Sequence, residues 1–203
     1  MLNELVKFLG EDDYFITKDK DENIIEVREK TNDIVNQDIA FLLIEDGLKY
    51  NILRKSRGSE AKIITLSNKA TALFYLGAKV KVSRLSTLYP KPKISHISSK
   101  DNAREILSDF LDDGLYEIEK RKKDAICLFE ENNIYVVGYC DMDMVFHTIS
   151  EDNPDLTIGT KVLVNFTWKY MHFKKMIEEY GIELNYTTQD YKEILYDLLN
   201  LKN

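Results

Sequence analysis

Glycine and proline are scarce in this chain, with 8 and 3 residues among 203. That composition excludes collagen-like repeats and long low-complexity segments. Basic charge is also short: 28 Lys and Arg face 35 Asp and Glu, for a net charge of −7. A general binder of nucleic acid or of anionic membranes needs the opposite excess, so neither is expected as a direct partner. No stretch approaches the about 18 consecutive apolar residues of a spanning helix. The opening MLNELVKFLGEDD has no basic start and no long apolar run, which predicts a chain without a secretory signal, placed in the cytoplasm. The phosphate-cradling patterns G-x-x-x-x-G-K-[ST] and G-x-G-x-x-G are absent, as is the nucleophile turn G-x-S-x-G. Acidity of this size either keeps a cytosolic protein soluble or suits a partner that is itself basic.

What is present is an ordinary globular balance, 44% apolar and 31% charged, with 12 Tyr and 9 Phe. The length suffices for a real core in one large domain or two small ones. Leu2, Leu5, Val6 and Leu9 form a helical stripe that Gly10 stops. Tyr14–Ile16 and Ile24–Val27 read as a hairpin. Asp38 to Ile44, DIAFLLI, is almost continuously apolar and suits a central strand covered on both faces. Asp46-Gly47 predicts a two-residue hairpin turn, Leu48–Arg54 the returning strand, and Ala61–Leu66 a third strand beyond Arg57-Gly58-Ser59. Ser67 or Asn68 can cap the following helix, whose Leu73, Phe74 and Leu76 face inward.

Pro90 and Pro92 in YPKPKISHISSK force an extended path and mark a boundary, giving three segments: 1–88, a connector 89–100, and 101–203. Asp101–Leu111 is a second amphipathic helix, capped by Ser99 with Asn102 or by Asp101 and ended by Gly114. Leu115–Lys123 reads equally as strand or helical turn. Asp124 to Ile149, DAICLFEENNIYVVGYCDMDMVFHTI, then reads as a β-meander with a turn at Asn132-Asn133 and a break at Asp141-Met142-Asp143. In that hairpin Cys127 opposes Gly138 and Cys140 opposes Ala125. The thiols sit diagonally at roughly 7–8 Å, too far for an easy disulfide, and read as reduced packing residues. Gly159–Tyr180 is the longest helix, with Val162, Leu163, Phe166, Tyr170, Phe173 and Ile177 on one stripe and Gly181 as its stop. Ile182–Tyr186 reads as a short edge strand, and Thr188 caps a last helix, Asp190–Leu201.

The halves overlay. ELVKFLGEDDY from Glu4 parallels EILSDFLDDGLY from Glu105, and DIAFLLIEDGLKY from Asp38 parallels DAICLFEENNIYV from Asp124. The expected fold class is therefore α+β: two similar helix–antiparallel meander–helix units plus a C-terminal helix.

Chemistry is harder to find. None of His96, His147 and His172 has a second His or Cys at ligand spacing. Adjacent acidic pairs such as Asp12-Asp13, Asp112-Asp113, Glu130-Glu131 and Glu178-Glu179 point to opposite sides of a strand and make no glycosidase pair by themselves. Asp141 and Asp143, joined by Glu151, Asp152 and Asp155 at one end of the meander, have the ligand type of a hard-cation site but not the calcium-loop pattern. No catalytic residue, cofactor or metal site is assigned.

The hairpins DIAFLLIEDG and DAICLFEENNIYV, the aromatic strand IYVVGYC and the acidic EDNPD before a long helix resemble those of bacterial immunity proteins of polymorphic toxin systems. The resemblance implies an α+β protein that covers the active site of a cognate toxin; a non-catalytic binder is expected, its oligomeric state open with a monomer favoured. Toxins of this kind are often basic, and an acidic surface would steer association with them. The surface expected to do so is the turn end of the second meander: Tyr139, Asp141, Asp143 and His147, with Glu151, Asp152 and Asp155. Tyr would supply contact area and the carboxylates would pair with Lys or Arg. A dimeric cytosolic secretion chaperone and an enzyme of unrecognised type are the alternatives.

Overall fold

The computed structural model describes residues 2–10, 12–21, 23–88, 93–185 and 187–201. Pro90 and Pro92 of the expected connector lie outside the described residues. The fold is α+β, and its contacts divide the chain into two compact units, residues 1–88 with 175–197 and residues 89–174 with 198–203.

The first unit begins with α1 (Leu2–Leu9), which Gly10 ends in a left-handed conformation, its N–H donating to the Val6 carbonyl. Then come β1 (Tyr14–Lys18), β2 (Ile24–Thr31), β3 (Ile34–Val35), β4 (Ile39–Asp46), β5 (Lys49–Ser56), β6 (Ser59–Leu66) and α2 (Lys69–Leu88). The strands form one antiparallel sheet in the order β1-β2-β4-β5-β6, with β3 paired to β2. Strand β4 takes the central place that its apolar run predicts, and Ala40, Phe41, Leu42 and Leu43 are all buried, so both its faces are covered. Asn32-Asp33 and Arg57-Gly58 turn their hairpins with positive φ at both residues, the primed turn that matches strand twist. The β4–β5 turn sits one residue later than Asp46-Gly47: Asp46 still pairs with Lys49, and Gly47 and Leu48 make the loop. Asn68 caps α2, its side-chain oxygen accepting from the Thr71 N–H at 3.0 Å. Leu73, Phe74 and Leu76 are buried as their spacing predicts. Helix α1 approaches α2 at Gly77, where a Cβ would come within 2.9 Å of Leu5 and Phe8.

The second unit contains α3 (Lys100–Ser108), β7 (Tyr116–Ile118), β8 (Ala125–Glu131), β9 (Ile134–Cys140), β10 (Phe146–Asn153) and α4 (Leu156–Tyr180) as far as Lys174. Ser99 is the cap of α3, accepting from the Asn102 N–H. The helix stops at Ser108, three residues before the expected Leu111. Strands β8, β9 and β10 form the expected antiparallel meander, with Asn132 and Asn133 both at positive φ in its first turn.

The sheet is nevertheless mixed, in the order β10-β9-β8-β7, because β7 runs parallel to β8. A parallel return normally needs a long crossover. Here a three-residue strand needs a return of only about 10 Å, and the chain makes it with positive φ at Glu119 and Asp124.

Helix α4 is 25 residues long and starts at Leu156. Its buried face is centred on Thr160, Leu163, Thr167, Tyr170 and Phe173, while the expected stripe members Val162, Phe166 and Ile177 are only half-buried. Gly159 lets the helix approach the sheet closely, since a Cβ there would lie 2.9 Å from Leu128 and 3.0 Å from Tyr135. Residues 182–185 form no strand and Tyr186 lies outside the described residues, so the expected edge strand is not seen. Thr188 precedes α5 (Gln189–Leu199) and accepts from the Tyr191 N–H.

Candidate partner-binding surface

Strand β10 has β9 on one side and, among the described residues, no strand on the other. Its pairing with β9 slips twice, between Thr148 and Ser150 and between Ser150 and Asn153. Such bulges turn an edge away from simple strand addition and aim its side chains outward. Beside this edge runs a groove of about 530 Å³, lined by Phe146 to Asp152 and by Asn200. Asn153 closes the strand: its side-chain amide donates to the Tyr135 carbonyl at 2.7 Å, and its oxygen accepts from Ser150.

The expected contact residues do not lie together. His147, Glu151 and Asp152 line the groove. Asp141 and Asp143 stand at the loop that enters β10, whereas Asp155 lies beyond its far end. There Asp155 caps α4, its carboxylate accepting from the Ile158 N–H at 2.8 Å. An extended strand from Phe146 to Asn153 separates the two ends by roughly 20 Å, so the carboxylates do not converge at one turn. Tyr139 is only 2% exposed and offers no contact area. It lies on the sheet face under α4, where its hydroxyl donates to Asp124 at 2.8 Å, its ring meets that of Tyr170 edge-on, and His147 stacks on it.

The loop between β9 and β10 is held by Asp141. One carboxylate oxygen accepts from the backbone N–H groups of Asp143 and Val145, both at 2.9 Å, and the other faces His147 Nε2 at 3.0 Å. Burial alone would raise the Asp141 carboxyl. The His147 contact and the two N–H donors outweigh burial and hold it below its ordinary value.

Sequence reasoning missed a polar cluster behind this face. Asp124 accepts from Tyr139, Tyr170 and Lys174, the last at 2.6 Å. The Tyr170–Lys174 spacing of one helical turn was a visible signal, but its distant carboxylate partner was not. Also missed were the exposed apolar side chains Met142, Met144 and Val145.

On the opposite sheet face Phe146 packs over Ala125, Cys127 and Cys140. Both cysteines are buried and free, and burial pushes the Cys127 thiol up to about 11. Among the described residues, no group of three or more His, Cys, Asp or Glu is placed to hold a metal ion. No helix among them is long and apolar enough to cross a membrane. No family model, curated protein or solved structure matches the chain.

Proposed function

We propose that this chain is a protein-binding module that recognises a basic partner beside β10, and that the partner is a toxin which it neutralises by covering the toxin's active site. The observation that carries the reading is the groove along an unpaired edge strand, with the exposed carboxylates of Glu151 and Asp152 in its wall. An open groove lined by successive residues of one bulged strand suits an extended loop of another protein, met by side chains rather than by strand pairing. Carboxylates along it would attract Lys and Arg, raise the association rate and exclude acidic competitors. On this reading the chain makes and breaks no covalent bond.

The test is co-expression with the C-terminal domain of a large secreted protein, where a neighbouring gene encodes one. The intact chain should restore growth and co-purify with that domain. Glu151→Lys with Asp152→Lys should abolish rescue while leaving the circular dichroism spectrum unchanged. Growth arrest with the intact chain present would reject the reading. A monomeric mass that does not change with concentration would count against a dimeric secretion chaperone.

A further inference from the structure

The Asn32-Asp33, Arg57-Gly58 and Asn132-Asn133 turns are short and polar, with positive φ throughout. The β9–β10 connection is built differently. Met142, Met144 and Val145 are 47%, 40% and 52% exposed, three large apolar side chains within four residues. Leu48 is also exposed at a hairpin tip, but it stands alone there. A contiguous apolar tip held in water marks a contact surface.

This tip is also rigidly formed. Asp141 accepts from the Asp143 and Val145 N–H groups with one carboxylate oxygen and meets His147 with the other. The backbone adds bonds from the Asp141 N–H to the Val145 carbonyl and from the Met144 N–H to the Asp141 carbonyl. Met144 holds φ at 64°, a conformation uncommon outside glycine that persists where its surroundings enforce it. A loop already fixed in its bound shape loses little freedom on binding. Methionine, unbranched and polarisable, adapts to sockets of irregular shape. The exposed Asp143 carboxylate stands between the two methionines in sequence, so a complementary socket carries a Lys or Arg at its rim.

We infer that Asp141–Val145 is the anchor of the interface: Met142, Met144 and Val145 enter an apolar socket on a partner protein, and a basic residue at the socket's rim meets Asp143. This rests on the reading of the chain as a protein-binding module and relocates its holding contacts. The carboxylates of the β10 groove steer arrival, whereas the loop sets how long the complex lasts.

The test measures binding kinetics between the purified chain and a purified toxin domain, taken from the C-terminus of a large secreted protein where a neighbouring gene encodes one. Met142→Ser, Met144→Ser and Val145→Ser together should speed dissociation about tenfold or more, with the association rate little changed. Asp141→Ala, which releases the loop while keeping its apolar residues, should also speed dissociation. Glu151→Gln with Asp152→Asn should slow association and weaken its salt dependence, leaving dissociation unchanged. Hydroxyl-radical labelling should oxidise Met142 and Met144 in the free chain and spare them in the complex. Tight binding by the triple variant, with both methionines still labelled in the complex, overturns the anchor and leaves the protein-binding reading standing. Absence of binding by the intact chain overturns both. Dimerisation of the chain alone, lost in the triple variant, overturns the foreign partner and assigns the socket to a second copy.

Discussion

Lys174 stands one helical turn beyond Tyr170 on α4, and both donate to the Asp124 carboxylate, the lysine at 2.6 Å. The same device recurs on α2 in the first unit: Tyr75 and Lys79, also one turn apart, both donate to Asp197. Side chains four residues apart share a helix face, so a Tyr–Lys pair can grip one carboxylate from two directions. In each unit the helix that follows the meander holds a distant segment this way. Burial and the Asp197 charge together raise the Tyr75 hydroxyl well above its ordinary value, so it remains a donor.

The clamp predicts a stability loss that is not additive. Asp124 sits at φ 55°, a conformation that asparagine tolerates, so Asp124→Asn removes the charge without adding backbone strain. It should cost about 2 kcal/mol, the scale of a charge-assisted hydrogen-bonded pair. Tyr170→Phe should cost about 1 kcal/mol, and the double variant less than the sum of the two. Urea unfolding measures all three. Full additivity would show that the two groups do not act as one unit.

Much of the architecture was legible because local signals agreed with one another. Helix stops at Gly10 and Gly181, the caps at Asn68 and Ser99 and the Asn132-Asn133 turn each follow from local backbone chemistry, and the apolar run of β4 forced a central strand. Strand β7 was not legible, since three residues are too few for periodicity to separate strand from turn. Tyr139 was misplaced because exposure of a strand face depends on what covers it, and α4 does. The acidic residues do not share one end because the eight residues of β10 stand between Asp141 and Asp143 at its entry and Asp155 beyond it. In the sequence Met142 reads as part of the Asp141-Met142-Asp143 break, and Met144 and Val145 read as the start of the third strand. Their exposure is a tertiary fact.

Asp141 gives the fold a defined acid sensitivity. Folding lowers its pKa, so its contribution is fully present above the unfolded value, about 3.9. That contribution fades as pH falls through the lower folded value. Asp141→Asn should therefore unfold at lower urea than the parent at pH 7, and the gap should close below about pH 4. A gap of equal size at pH 7 and pH 3 would show that the carboxylate charge is not what holds the loop.

Cys127 and Cys140 oppose Gly138 and Ala125 across the β8–β9 pair, and both are buried. With burial holding the Cys127 thiol up at about 11, almost no thiolate exists near neutral pH. Native protein at pH 7.5, roughly one unit below the ordinary thiol pKa, should leave both thiols unmodified by an aromatic disulfide reagent. Both should react in denaturant. Rapid labelling of native protein would mean that this sheet face opens readily.

Gly138 is required by what lies over it. A Cβ at this position would come within 2.3 Å of the Phe146 ring and 2.5 Å of the His147 carbonyl. The carbonyl belongs to the paired strand and cannot swing aside. Phe146 is itself packed on Phe129, with ring centroids 4.9 Å apart, and Arg121 lies over both rings. Gly138→Ala should therefore cost about 2–3 kcal/mol, although alanine normally suits a strand at least as well as glycine. Phe146→Leu in the same background should recover part of the loss by vacating ring space. An alanine variant as stable as the parent would mean that β10 shifts freely against β9.

Thr160 and Thr167 lie two turns apart on α4, fully buried, and their hydroxyl oxygens have no hydrogen-bond partner among the described residues. A buried hydroxyl without a partner costs about 1–3 kcal/mol of lost hydration. Valine has nearly the same shape and carries no polar atom. Thr167→Val should accordingly raise the melting temperature by about 2–4 °C for each kcal/mol recovered, in a chain of this size. Thr167→Ser retains the hydroxyl and deletes a packed methyl, so it should lower the melting temperature. The expected order is Val above Thr above Ser, with the same order at position 160. If valine instead falls below threonine, the hydroxyl is bonded to the carbonyl one turn back, and this face of α4 is held by a polar contact.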